Sequence, residues 1–346
     1  MAKVAVIGDL FMKPAFFVDA LRAAVGDDAP DIRTAELPWP DEPMRHGEPG
    51  TALAGLREFV GRPEDVADLV ADAEILVTHV APVNGWLLDR APDLKLIGVS
   101  RGGPVNVDVR AARERGIAVV NTPGRNASAV AEFTIGAILA ETRLITKGHA
   151  ALSKGVWRGD LYRAEIAGPE LSDCTVGLIG YGHIGRLVVR LLKPFGCRVL
   201  VADPYVTVSD EDRRDGVEQV DLGTLLERSD VVSLHARVTP ETTRFLGAAQ
   251  FARMRPGSYF VNTARGPMVD YEALHDALAS GHLRGAMLET FWQEPPPADA
   301  PLLRLDNVTL TPHIAGASLT TVRIAARMVA AEVGRYLRGE PFANPC

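Results

Sequence analysis

Cysteine is scarce. The 346 residues hold three, Cys174, Cys197 and Cys346, with no metal-ligand spacing among them, so no metal site is expected. Cys174 and Cys197 each open an apolar run, where a small buried residue suits. No apolar run reaches the length of a membrane span. Nothing resembles a signal peptide either, because Met1-Ala2-Lys3 leads straight into the strand-like Val4-Ala5-Val6-Ile7-Gly8, and a cytoplasmic protein is expected. Basic runs are missing as well. The net charge of −7 is modest and spread along the chain, which argues against nucleic acid or an anionic membrane as a partner. The charged fraction of 23% and apolar fraction of 47% are those of a soluble globular protein, and the length exceeds one ordinary domain, so two domains are expected.

Glycine is plentiful, and residues 174–203 organise the rest. The apolar Val176-Gly177-Leu178-Ile179 runs into Gly180-Tyr181-Gly182-His183-Ile184-Gly185, and a helical pattern of Leu187, Val188, Leu191 and Leu192 follows. This reads as strand, tight turn and helix. Gly180 takes a turn conformation that a β-carbon opposes, Gly182 lets the backbone approach a pyrophosphate, and Gly185 packs the helix closely on the strand. Helix amides and dipole then face the phosphates, with Tyr181, His183 and Ile184 completing the turn. A second run, Val199-Leu200-Val201, ends at Asp203, placed to accept bonds from both ribose hydroxyls and to repel a 2′-phosphate. With 32 glycines, roughly 0.3 chance matches to this spacing are expected per chain, so strand, helix and acid carry the reading. Pro204 and Tyr205 stand where a 2′-phosphate binder offers Arg or Lys, which favours NAD.

Elsewhere apolar runs alternate with helical patterns, implying parallel sheets. Residues 4–7, 31–37, 75–78, 94–99 and 117–120 read as strands, with a helix over 16–25. The Pro-rich 38–50 stretch, holding Trp39, Arg45 and His46, is irregular: a lid over a ligand or a solvated loop. Arg101-Gly102-Gly103 lies at a strand's carboxyl end, where backbone amides can meet a substrate carboxylate. Residues 121–126 read as a hinge, 128–147 as one long helix, and 318–338 as a last helix returning to the first domain. Beyond Asp203, strands near 231–235, 258–262, 285–289 and 308–311 end in His235-Ala236, in Asn262 to Arg265 (with Thr263 and Ala264), in Glu289, and ahead of His313 and Gly316. In a doubly wound sheet these ends open onto one cofactor crevice.

Three strand-end residues, Arg265, Glu294 in Trp292-Gln293-Glu294-Pro295 and His313, fit one reaction beside a nicotinamide. Hydride exchange with a secondary alcohol needs an acid–base for the hydroxyl proton, and His313 suits neutral pH. A carboxylate such as Glu294 favours imidazolium and orients the ring. The Arg265 guanidinium can grip a carboxylate with two prongs and polarise the neighbouring carbonyl. The implied substrate is a 2-hydroxy acid or its 2-keto partner.

On these motifs, and on Val232-Ser233-Leu234-His235, Val261 to Gly266 and Asn307 to Gly316, the chain resembles the D-isomer-specific 2-hydroxyacid dehydrogenases. That family includes D-3-phosphoglycerate, D-lactate, glyoxylate/hydroxypyruvate, formate and phosphite dehydrogenases. The resemblance implies two Rossmann-like or flavodoxin-like doubly wound domains with the active site in the cleft between them. It implies a substrate domain over 1–122 and 315–346, an NAD-binding domain over 123–314, and a homodimer formed through the latter, with a role for the 128–147 helix. By it, Arg265 binds and activates substrate, His313 is the acid–base and Glu294 its partner.

Departures mark this chain. Glu289 stands where the family has Asp, near the nicotinamide amide, and bulky Trp292 follows close by. The glycine loop at Arg101 is short. His79 occupies the region where phosphoglycerate dehydrogenases carry phosphate-binding arginines, and is read with Arg101, Gly102 and Gly103 as facing substrate. Arg237 replaces a frequent Pro. The alternatives are a phosphite-type dehydrogenase of the same family and a non-enzymatic NAD(H)-sensing corepressor-like protein.

Overall fold

A computed structural model describes residues 2–26 and 30–346. The chain divides into two compact units, 1–126 with 318–346, and 127–317.

The first unit is a five-stranded sheet of β1 (Lys3–Asp9), β2 (Asp31–Leu37), β3 (Ile75–Thr78), β4 (Leu96–Val99) and β5 (Ala118–Val120), all parallel in the order β2-β1-β3-β4-β5. This is the flavodoxin-like order, whose direction of winding reverses between β1 and β3. β3 and β4 are buried along their whole length, as a sheet covered on both faces requires. The helix Leu319–Leu337 covers one face. Its Val322, Ala325, Ala326, Val329, Ala330 and Val333 repeat at three- and four-residue spacing, and all are at most 2% exposed. Gly98 on β4 makes room for it, since a β-carbon there would lie 2.9 Å from Val329 Cγ1. Ser318 caps this helix by accepting from the Thr321 amide at 3.0 Å, so the expected last helix lies within a residue of its expected bounds and belongs to the first unit.

The second unit has seven parallel strands: β6 (Thr175–Ile179), β7 (Arg198–Ala202), β8 (Glu218–Gln219), β9 (Val231–Leu234), β10 (Ser258–Asn262), β11 (Leu283–Leu288) and β12 (Val308–Leu310). The order β12-β11-β10-β9-β6-β7-β8 puts the winding reversal between β6 and β9, the Rossmann arrangement. Both sheets are thus the doubly wound kind expected. β8 is absent from the sequence reading because it is two exposed residues on the sheet edge, too short for any periodicity.

The long helix expected over 128–147 is two: Ala127–Thr142 and Ile145–Leu152, broken at Leu144 with φ 56°. No Pro or Gly lies between them. The Gly168 segment packs against the end of the first helix so tightly that a β-carbon there would lie 1.6 Å from the Thr142 carbonyl oxygen. The 38–50 stretch is irregular, as expected, but it is pinned. Arg45 and Phe59 exchange backbone hydrogen bonds at 2.9 and 3.1 Å, and Met44 packs on the core.

Candidate functional site

The glycine turn sits between β6 and the helix His183–Leu192, at the winding reversal. Gly180 has φ 105°, and a β-carbon on it would lie 2.8 Å from the His235 carbonyl and 2.9 Å from the Ala236 amide nitrogen. A β-carbon on Gly185 would lie 2.3 Å from the Gly180 oxygen, whereas one on Gly182 would meet nothing within 4 Å. Gly180 and Gly185 therefore serve close packing, and Gly182 presents an open backbone. The helix begins at Gly182 without a side-chain cap, so its first amides remain for an anion. This cradle fits a dinucleotide pyrophosphate.

Asp203 follows β7. Its Oδ2 accepts from the Tyr181 amide at 2.8 Å, and its Oδ1 accepts from the Tyr205 and Val206 amides at 2.8 and 2.9 Å. A carboxylate offers about four lone-pair sites, so one on Oδ2 is left for a ribose hydroxyl rather than both oxygens. Pro204 is exposed beside it.

Several expected cofactor residues contribute backbone rather than side chain. Tyr181 is fully buried in the core and its hydroxyl donates to Asp212. The Thr263 hydroxyl is paired with Thr134 at 2.8 Å, tying β10 to the helix Ala127–Thr142. His235 is buried with Nε2 2.9 Å from Ser233 Oγ, and burial pushes its pKa down to about 4, so the ring is neutral. Ala264 is buried, its amide donating to Asn262 Oδ1.

On the same unit, His313 Nδ1 and Glu294 Oε2 are 3.0 Å apart. Glu294 Oε1 accepts from the Phe291 amide at 3.1 Å, which fixes the carboxylate. Burial alone would lower the His313 pKa. The Glu294 hydrogen bond and the charges of Glu289 and Glu294 outweigh it, so the imidazole stands above its ordinary value. Burial raises Glu294, but His313 outweighs that and holds the carboxyl below its ordinary range. The charge of Arg265 acts on both groups, and its side chain is exposed, with Nη1 donating to the Ala264 carbonyl at 2.7 Å.

Glu289 makes a contact that the sequence reading did not foresee. Its carboxylate is 1% exposed and is spent on the loop after His313: Oε2 accepts from the Ile314 and Ala315 amides at 3.0 and 2.7 Å. The extra methylene relative to Asp gives it that reach, and burial raises its pKa. Gly316 closes the same loop. Trp292 is 39% exposed, with its ring 4.8 Å from that of Tyr271.

In the first unit, His79, Arg101, Gly102 and Gly103 follow β3 and β4 at the carboxyl edge of the sheet. Arg101 is held by Glu58, with Nη1 donating to the Glu58 carbonyl at 2.8 Å and Nη2 to its carboxylate. Gly102 lies on an open loop, its carbonyl accepting from Asn121. His79 is 2% exposed between Asp9 and Arg125. Trp39 lies parallel to its ring at 6.0 Å, so this one residue of a largely exposed Pro-rich stretch covers His79. Asp9 and Arg125 were missed in the sequence. A charged residue ending the apolar β1 run was the available signal for Asp9.

Residues 135–315 match the sequence model of the D-isomer specific 2-hydroxyacid dehydrogenase NAD-binding domain. The glyoxylate reductase of Thermofilum pendens is 40% identical over 258 residues, which is 75% of this chain and 76% of that protein. The D-3-phosphoglycerate dehydrogenase of Methanocaldococcus jannaschii is 39% identical over 283 residues, 81% of this chain, and the match spans only about half, 53%, of that relative's length. Among solved structures, the TT0316 protein of Thermus thermophilus is 31% identical, with a TM-score of 0.77 over 99% of both chains. The NAD complex of the formate dehydrogenase of Staphylococcus aureus is 26% identical, with a TM-score of 0.76 over 99% of this chain and 98% of that one. NAD is the cofactor, and the chain belongs to the D-isomer-specific 2-hydroxyacid dehydrogenase family.

Proposed function

We propose that the protein interconverts a D-2-hydroxy acid and its 2-keto acid, with His313 as acid–base, Glu294 as its partner and Arg265 gripping the substrate carboxylate and carbonyl. The observation that carries this is the 3.0 Å contact between His313 Nδ1 and Glu294 under the charge of Arg265. The Gly180–Gly185 turn and Asp203 would hold NAD, which would supply the hydride carrier. With Nδ1 turned to the carboxylate, Nε2 is the nitrogen left for the substrate oxygen. In the reducing direction the imidazolium Nε2–H gives its proton to the carbonyl oxygen as hydride reaches carbon. In the oxidising direction neutral Nε2 takes the hydroxyl proton. Arg265 holds the carboxylate through charge-assisted bonds and draws electron density from the carbonyl. NADH oxidation against glyoxylate, pyruvate, hydroxypyruvate and oxaloacetate tests the reading. Turnover of at least one that is abolished by His313→Ala supports it, and NADH binding without any turnover overturns it in favour of a sensor.

The protein is further proposed to act as a homodimer through its nucleotide-binding unit. Ile145, Leu152, Val156, Trp157 (83% exposed) and Tyr162 (96% exposed) are outward-facing apolar groups within 18 residues of that unit. So large an apolar display is the mark of an association surface. The bearing segment follows the Ala127–Thr142 helix, which is itself largely buried. Light scattering of Trp157→Ser/Tyr162→Ser should read a monomer where the parent reads a dimer, and an unchanged mass sinks this surface.

A further inference from the structure

Arg125 has no assigned task, yet its surroundings specify one. His79 Nε2 lies 3.2 Å from Arg125 Nη2, and since a guanidinium only donates, Nε2 must accept. Nδ1 then carries the proton and donates to Asp9 Oδ2 at 2.7 Å. Asp9 Oδ1 is occupied by the Phe11 and Met12 amides at 2.9 and 2.7 Å. The imidazole is therefore neutral, and a pKa lowered to about 4 agrees with that tautomer. The neutral ring separates the Asp9 carboxylate from Arg125. Among the described residues Arg125 forms no ion pair, and its Nη1 is buried without an acceptor. The positive charge of Arg101, which Glu58 holds, bears on the same guanidinium and on His79, and the more weakly felt Asp9 carboxylate bears on Arg125 with the opposite sign. A buried guanidinium edge with an unmet donor and no ion pair of its own, backed by a neutral ring, is a standing demand for an anion.

Its place in the fold points the same way. Asp9 ends β1 and His79 follows β3, so the pair straddles the winding reversal of the five-stranded sheet, where ligands of such sheets bind. Arg125 comes in after β5, and the Thr122 amide donates to the Arg101 carbonyl at 2.8 Å, joining the two arginine loops. Trp39 and Phe11 pack on His79 and hold its ring in the plane that aims Nε2 at Arg125.

We propose that Arg125, positioned by the Asp9–His79 pair, is an anion subsite, and that the protein's acid substrate carries a second anionic group, carboxylate or phosphate, which this guanidinium holds. The proposal rests on the dehydrogenase reading for the word substrate, while the anion subsite stands independently of it.

The test has a kinetic and a binding arm. In the first, kcat/KM is compared for pyruvate against oxaloacetate, and for hydroxypyruvate against its 3-phosphate, in the parent, Arg125→Gln and Arg125→Lys. The parent should favour one dianion over its monoanionic partner by tenfold or more, and which pair responds tells carboxylate from phosphate. Arg125→Gln should cut that ratio at least tenfold, and Arg125→Lys should restore part of it. In the second arm, the NADH-loaded protein, which cannot react with hydroxy acids, is titrated calorimetrically with D-malate, D-lactate, D-glycerate and 3-phospho-D-glycerate. A dianion preference that Arg125→Gln removes, with the melting temperature held, supports the subsite even if no acid is turned over, in which case only the dehydrogenase reading fails. Equal binding of mono- and dianions by the parent, or a preference untouched by Arg125→Gln, overturns the proposal. If Arg125→Gln does not fold, the Lys variant and the parent ratios decide.

Discussion

His313 and Glu294 meet through Nδ1 and Oε2 at 3.0 Å, and the carboxylate is itself fixed by the Phe291 amide. The pair thus sets both the orientation and the proton affinity of the imidazole. Reduction of a keto acid needs imidazolium, so kcat/KM for reduction should be flat on the acid side and fall as pH rises through a His313 pKa above the ordinary 6.5. Glu294→Gln removes the stabilising charge and should move that fall to lower pH, with the loss larger in kcat than in KM. A pH profile with its midpoint unmoved would falsify the pairing as the source of the shift.

Arg265 is exposed and makes one bond to its own backbone neighbourhood, so its fork is free of structural duty. Arg265→Gln should leave the melting temperature unchanged and reduce kcat/KM for keto acids by about 10²-fold or more, as charge-assisted bonds and orientation are lost together. A loss of less than tenfold would move carboxylate recognition elsewhere.

Gly180 and Gly182 make opposite predictions from adjacent places in one turn. At Gly180 a β-carbon meets the His235 carbonyl at φ 105°, so Gly180→Ala should destabilise the protein by about 2 kcal/mol or more and lower Tm by roughly 5 °C. At Gly182 it meets nothing. Gly182→Ala should therefore leave Tm unchanged while weakening NADH binding, since the added methyl stands where phosphate approaches. Thermal melts with and without NADH separate the two.

Asp203 anchors the turn through Tyr181 and offers its remaining lone pair to ribose. Asp203→Ala should cost about 2 kcal/mol of NADH binding, roughly thirtyfold, and bring NADH and NADPH closer in KM. A preference that survives intact places discrimination at another residue.

His79 and His235 are buried neutral, each with a pKa near 4 against 6.5 for an exposed imidazole. Between these values the unfolded chain binds protons that the folded one refuses, so stability should be complete above pH 6.5 and decline as pH falls toward 4. Denaturant midpoints across that window should show up to two protons taken up on unfolding. His79→Phe should flatten part of the slope, and a slope identical to the parent's would contradict the burial argument.

The sequence by itself determined the sheets. Ten of the twelve strands stand as apolar runs bounded by turn residues, because a covered parallel strand must be largely apolar; the edge strand β2 shows only alternation, and the glycine turn announces where a dinucleotide lies. Val322 to Val333 likewise spell a one-faced helix. Arg265, Glu294 and His313 were legible as chemistry because each ends or follows a strand on the one edge where a parallel sheet gathers its loops. What tertiary structure alone decided lies where distant segments compete for space or for lone pairs. The break at Leu144 lies where Gly168, 26 residues away from Thr142 in sequence, packs against that helix end, and no local signal marks it. Glu289 meets the Ile314 and Ala315 amides of a loop 25 residues downstream, a pairing no local pattern marks. The Asp9–His79–Arg125 relay joins residues 70 and 46 apart, each unremarkable alone. Periodicity reports which face of an element is buried; it holds no record of which polar atoms find partners across the fold, and those pairings set the charge state of the site.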